Sequence, residues 1–329
     1  MKKMVKAIAA IAAAGIMSVA ALAGAAQAAH RSPAPVPGRQ RGIVLAHGAR
    51  QLTARGGQRS PARRRAATPL TYHGGPVMRV NTTEAIYWVP AGTSMITGYQ
   101  STITQYFADA AHDSGGVANV YSTETQYYDG TGSIAYSQTF GGAIVDTNPF
   151  PANGCPVYSG VTSCLTDAQI GAEVQNVVTA NHLPVDGTHA YFLFTPKGVG
   201  SCFSATSTTC AFTYYCAYHS NSGSLLYANM PYADTSPNAC GTGQRPNGNE
   251  ADDTLNVTSH EHREMINDPY GNAWFDRRGY EGSDKCAWNF GSALGSTTTG
   301  AYNQVINGHF YFLQQEWSNV RLGCVQRGT

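Results

Sequence analysis

The chain has 329 residues, of which 42% are hydrophobic and only 12% charged. That length is enough to bury a sizeable core in about one large domain. The formal net charge of +1 conceals a division: beyond Arg65 the chain carries 20 acids against 9 Lys and Arg, a net charge of −11. An acidic body repels a phosphate backbone, which sets nucleic acid aside as a partner.

Residues 1–28 read as a secretory signal. Lys2, Lys3 and Lys6 form the charged start, Ala7 to Ala25 is apolar, and Ala26-Gln27-Ala28 offers small residues for cleavage. No later stretch is long and apolar enough to span a bilayer, so a secreted protein with no membrane span after signal removal is expected. Residues 29–70 are rich in Arg, Pro, Gly and Ala and lack apolar periodicity. They are expected to be a disordered leader or pro-segment, with Arg63-Arg64-Arg65 as a processing site. A single globular domain follows over residues 71–329.

Glu84 to Val89 is β-rich and is stopped by Pro90, which predicts a strand. Tyr99, Ile103, Tyr106, Phe107 and Ala110 fall at helical spacing and predict a helix over 98–112. Alternation over 119–128 predicts a strand. Thr166 and Gln169 form a capping-box pattern, and the helix they open buries Ile170, Val174, Val177 and Val178. Strands are expected at 190–195, 212–218 and 225–230, the last two as a hairpin. A helix over 254–267 ends at Asp268-Pro269, and a final strand covers 309–317. This order predicts an α/β (α+β) domain in which helices pack on a mixed β-sheet. A late helix following the sheet is also the zincin-like arrangement.

The eight cysteines are Cys155, Cys164, Cys202, Cys210, Cys216, Cys240, Cys286 and Cys324. An even count in an exported chain, with no C-x-x-C pair, favours disulfides over thiolate metal sites. Eight cysteines allow about 105 connectivities. Short loops favour pairing in chain order: 155–164, 202–210, 216–240 and 286–324.

The chemistry concentrates in Ser259-His260-Glu261-His262-Arg263-Glu264. On a helix, His260 and Glu264 share one face. Glu261 follows His260 directly, where zinc peptidases of the H-E-x-x-H type keep their general base. Here the second imidazole is replaced by a carboxylate. A catalytic ion needs about three protein ligands and one open position. Glu281 and Asp284, 17 and 20 residues beyond Glu264, are the candidates for the third. His219 and His309 are spare imidazoles for oxyanion stabilisation or as alternative ligands. One nitrogen and two carboxylates neutralise a divalent ion, and an oxygen-rich site also admits manganese, iron or calcium. Zinc remains the first choice because of Glu261. His262 and Arg263 point to other helix faces, toward solvent or a supporting role, and Asp268 is expected to brace the turn before Pro269.

These residues carry a resemblance. Ser259-His260-Glu261-x-x-Glu264, Asp268-Pro269, Asn272-Ala273-Trp274-Phe275-Asp276 and Gly279-x-Glu281-x-x-Asp284-x-Cys286-Ala287-Trp288 resemble secreted bacterial proteins, mostly actinobacterial. Those proteins are distantly similar to the plant exordium, or phosphate-induced protein 1, family. Ala85-Ile-Tyr-Trp88, Gly98-Tyr-Gln-Ser101, Tyr127-Tyr-Asp129, Cys216-Ala-Tyr-His219, Cys240 and Pro246-Asn247-Gly248 extend the resemblance over most of residues 72–329. Glu281-Gly282-Ser283-Asp284 departs from the Glu-Ile-Gly-Asp of that pattern but keeps both carboxylates. The resemblance implies an extracellular or cell-wall protein. Its plant members lack the His-Glu pair, which implies a scaffold that also works without metal chemistry.

The expected function is a secreted metal-dependent hydrolase acting on a peptide or cell-wall substrate, most simply a zinc metallopeptidase and a monomer. His260, Glu264 and one of Glu281 or Asp284 are the expected ligands, with Glu261 as general base. The alternatives are a non-catalytic extracellular binding protein of the exordium-like type and a structural metal brace in the same residues.

Overall fold

The computed structural model describes residues 41–49 and 68–328. The expected signal at 1–28 and the Arg63-Arg64-Arg65 sequence lie outside the described residues. Six strands form the main sheet: β1 (Arg41–Leu45), β2 (Asn81–Trp88), β3 (Gln138–Asp146), β4 (His189–Phe194), β5 (Tyr215–Ser222) and β6 (Leu225–Met230). Their order across the sheet is β1-β5-β6-β4-β2-β3. β3, β2, β4 and β6 run parallel to one another, while β5 pairs antiparallel with β6, and β1 antiparallel with β5. The sheet is therefore mixed, as the order of elements predicts.

The pleat sends alternate side chains to opposite faces. Along β2 and β4, Ala85, Tyr87, Ala190, Phe192 and Phe194 join one apolar cluster, and Ile86, Trp88, Tyr191 and Leu193 join another. Helices cover both faces. Helix α1 (Tyr99–His112) buries Tyr99, Ile103, Tyr106, Phe107 and Ala110, the residues whose spacing predicts it. Helix α2 (Asp167–Ala180) packs Ile170, Val174, Val177 and Val178 on the opposite face. Its capping box is present, with the Thr166 amide donating to Gln169 Oε1 at 2.8 Å. Helix α3 (Ala251–Asn267) carries the His-Glu motif and lies on the α1 side.

The four disulfides pair Cys155–Cys164, Cys202–Cys210, Cys216–Cys240 and Cys286–Cys324, in chain order. No cysteine is free. The close approach of Cys155, Cys164 and Cys202 is thus a contact between two bridges, with no thiolate to bind a metal.

Three segments differ from the sequence reading. Residues 120–126 form a 3₁₀ helix instead of a strand. The Asn119 side chain accepts from the Tyr121 amide at 3.0 Å and starts the turn, and Val120 to Glu124 are buried consecutively, so the alternation has no second face. The expected strand at 309–317 is two short strands, His309–Tyr311 and Glu316–Ser318, each in its own ribbon. The third difference is β1. It falls in the segment expected to be a disordered leader, yet it forms the edge of the main sheet. Val44 is fully buried, and the hydrogen bonds come from β5, a distant partner that local periodicity does not report.

Helix α3 is buried along all 17 of its residues, so His262 and Arg263 face neither solvent nor a solvated groove. His262 Nδ1 lies 2.8 Å from the Tyr121 hydroxyl and Nε2 lies 2.9 Å from Asn81 Oδ1. Burial, followed by the neighbouring Arg263 charge, depresses its pKa to about 3. The unfolded chain, with histidine near its usual value of about 6.5, binds that proton first as pH falls. Stability from this group is therefore present above pH ~6.5 and is lost progressively toward pH ~3. Urea unfolding across that window is expected to give a shallower pH slope for His262→Gln than for the parent. An equal slope assigns the acid sensitivity elsewhere.

Candidate functional site

The site begins with the helical repeat. Four-residue spacing on α3 stacks His260 over Glu264, with His260 Nε2 3.2 Å from Glu264 Oε1. A short helix, α4 (Gly282–Lys285), meets this face. The N-cap residue Glu281, just before the helix, and Asp284 form a reciprocal cap. The Asp284 amide donates to Glu264 Oε1 at 2.7 Å, so α3 itself fixes where α4 starts. Cys286–Cys324 ties down the far end. Asp284 Oδ1 then stands 3.7 Å from His260 Nε2.

A second group adjoins the first. His219, on β5, places Nδ1 3.0 Å from Glu261 Oε2 and Nε2 4.0 Å from Glu281 Oε1. His260/Glu264/Asp284 and His219/Glu261/Glu264 are two triads that share Glu264. In each triad one ligand atom per residue lies within 4.8 Å of the others. The structure thus brings together His219, His260, Glu261, Glu264, Glu281 and Asp284. It leaves His309 elsewhere: the half-exposed ring lies 2.8 Å from Asp109 Oδ2. Asp268 accepts from the Ala273 amide at 2.6 Å and braces the turn.

Burial makes this cluster energetically unusual. His219, His260, Glu261 and Glu264 have no exposed surface, and Glu281 retains 5% and Asp284 7%. Four of the inward atoms, His260 Nε2, Glu261 Oε1, Glu264 Oε2 and Glu281 Oε1, make no hydrogen bond within the protein. Each such atom costs roughly 1–3 kcal/mol when left unsatisfied. Loss of water around the charge holds the carboxyls of Glu261, Glu264 and Glu281 well above their usual range. Neighbouring carboxylates push in the same direction: Glu264 and Asp284 act on Glu261, and Asp284 and Glu316 act on Glu264. A divalent cation among these oxygens would offset both penalties at once. The donor set fits one, with imidazole nitrogen and carboxylate oxygens within 4.8 Å of one another in each triad.

The surroundings orient the donors. Gln314 donates from Nε2 to the Ser283 carbonyl at 2.8 Å, which turns its Oε1 toward His260 Nδ1 at 3.2 Å. Gln314 Oε1 can only accept, so His260 donates to it from Nδ1 and turns Nε2 toward Glu264 and Asp284. Arg263 lies one turn from Ser259, donating from Nε to its carbonyl at 2.9 Å, and its Nη1 is 2.7 Å from Glu316 Oε2. Gln314 and Glu316 carried no signal in the sequence, because their roles depend on a C-terminal segment returning to α3.

The contribution of β1 is also invisible in the sequence. The Gly42 amide donates to Glu281 Oε2 at 2.7 Å, and Glu261 accepts from the Val44 backbone. Gly42 has φ +44°, and a Cβ there would stand 2.2 Å from His219 Nδ1 and 2.4 Å from Glu264 Oε2. Only glycine fits that approach.

Comparison with protein-family models, with curated proteins and with solved structures gives no match. Among the described residues, no helix is long and apolar enough to cross a membrane.

Proposed function

We propose that this chain is a secreted metal-dependent hydrolase with a zincin-like site, and specifically a peptidase. The observation that carries the reading is the convergence of three buried residues, His260 and Glu264 on α3 and Asp284 on α4, with His260 Nε2 and Glu264 Oε2 making no hydrogen bond within the protein. Four disulfides fit an oxidising compartment. The resemblance to extracellular exordium-like proteins supports the same location.

His260, Glu264 and Asp284 would hold the ion. Of the two candidates for third ligand, Asp284 is favoured because it faces His260, whereas Glu281 faces His219. A divalent ion bound there would polarise a carbonyl and acidify a water. Glu261 would take a proton from water as oxygen adds to the peptide carbonyl carbon, then deliver it to the departing amine as the C–N bond breaks. His219, in contact with Glu261 Oε2, would hold that carboxylate in position. Zinc is the first choice, and the oxygen-rich donor set leaves manganese, iron and calcium as competitors.

Elemental analysis of protein purified without chelator is expected to find about one equivalent of divalent metal. His260→Ala should lose it. Protein that takes up no zinc, manganese, iron or calcium on dialysis ends the reading. Uptake should also release protons, because the Glu264 carboxyl, raised by burial and by Asp284, holds its proton until the cation displaces it. Affinity therefore rises with pH. Titration with metal in weakly buffered indicator dye checks this, and pH-independent uptake without proton release contradicts it.

Burial of the cluster favours a second reading, a structural metal brace in a non-catalytic extracellular binding protein. Chelation would then lower the melting temperature while a cell-wall glycan pull-down persisted.

A further inference from the structure

Strand β1 lies on the site as well as beside the sheet. It pairs antiparallel with β5 through Arg41↔His219, Ile43↔Tyr218, Val44↔Ala217 and Leu45↔Tyr215. The pairing slips between Arg41 and Ile43, so Gly42 bulges out of the ladder. A bulge re-aims the backbone, and here it turns the Gly42 amide onto Glu281 Oε2 at 2.7 Å. The same glycine presses against His219 and Glu264. Further along, the Leu45 carbonyl accepts from Trp288 Nε1 at 2.8 Å, and the Ala46 amide donates to the Tyr214 carbonyl at 3.0 Å. Backbone hydrogen bonds hold this segment on both sides, the Val44 and Ala46 side chains are buried in the core, and the His47 ring lies 4.0 Å from that of Trp288. That is how a protein binds an extended peptide by adding it to a sheet edge.

We propose that the β5 edge beside the His-Glu cluster is a binding site for extended peptides with glycine opposite Glu264, and that residues 41–49 of the same chain fill it in cis. The assignment of such peptides as substrates rests on the hydrolase reading. The strand then acts as a built-in competitor. It explains why a cluster suited to chemistry is closed to solvent, and why the occupant has glycine at the one position where a Cβ collides with two site residues. β1 can leave the edge without breaking the rest of the sheet, which is continuous from β5 to β3 without it.

The test uses the full chain with a specific protease site placed between Ala49 and Thr68, and the Glu261→Gln change to exclude turnover. A fluorescent synthetic peptide with the sequence of residues 40–49 is the probe. After cleavage it should exchange into the edge saturably, while the uncleaved chain should exclude it. The same peptide with Gly42→Leu should bind at least about tenfold more weakly, from the collision and the left-handed backbone it would need. Hydrogen exchange at residues 215–219 should rise when β1 leaves and fall when the peptide enters. If the cleaved chain keeps its own β1, Val44→Asp in the uncleaved chain provides a second opening, verified by the same exchange signal. The proposal is overturned if neither opening admits the peptide, if the uncleaved parent binds it equally, or if the Leu peptide binds as tightly as the Gly peptide. Peptide binding without hydrolysis by the opened, metal-loaded parent would instead remove the peptidase reading and leave the binding edge standing.

Discussion

Glu261→Gln is expected to keep the metal and lose the reaction. The exchange preserves the size and one oxygen of the side chain but removes the group that accepts a proton from water. General-base contributions are typically about 10²–10⁴-fold, so kcat of the opened, metal-loaded protein on an internally quenched peptide library should fall by that order. KM should change little, because Glu261 is assigned to proton transfer and not to substrate binding. His260→Ala provides the contrast, losing metal and activity together. Equal, trace-level cleavage by parent and Glu261→Gln would remove the peptidase claim even if both bind metal. A large loss of metal in Glu261→Gln would recast this residue as a ligand, paired with His219 and Glu264 in the second triad.

Arg263→Ala is expected to be the most destabilising single change near the site. Arg263 and Glu316 are both fully buried, with Nη1 2.7 Å from Oε2. Removing one member of a buried pair leaves the other charge stranded, at a cost of about 3–5 kcal/mol. The loss should depend on pH in a definite direction. Burial already holds the Glu316 carboxyl above its usual value, and Arg263 is the main influence pulling it back. Without Arg263 the folded-state pKa climbs further, while the unfolded chain still ionises near the ordinary value of about 4.3. A carboxyl whose folded pKa is raised favours the fold at low pH and loses that advantage as pH rises through the folded value. Urea unfolding should therefore show a larger defect at pH 8 than at pH 5. Replacing both partners, Arg263→Met with Glu316→Leu, should recover much of the stability. A pH-independent loss, or no rescue by the double change, would mean that the arginine acts through packing alone.

What the sequence determined by itself were the features governed by local or short-range physics. The 3.6-residue period placed α1, the Thr166/Gln169 cap placed α2, and short loops paired the eight cysteines. The four-residue repeat put His260 and Glu264 on one face, and the nearby segment offered Glu281 and Asp284, of which only the fold turns Asp284 toward His260. Only tertiary structure decided which partners meet across long stretches of chain. His219 reaches Glu261 because β5 passes beneath α3, whereas His309, an equal candidate by composition, is carried away to Asp109. Gln314 sets the His260 tautomer from a returning C-terminal segment. Arg263 reads as a surface charge until α3 is seen to be covered on every side. The same holds for β1. A segment with three apolar residues and no period of its own becomes a strand because β5 offers unpaired backbone groups, a hydrogen-bonding demand written in another part of the chain.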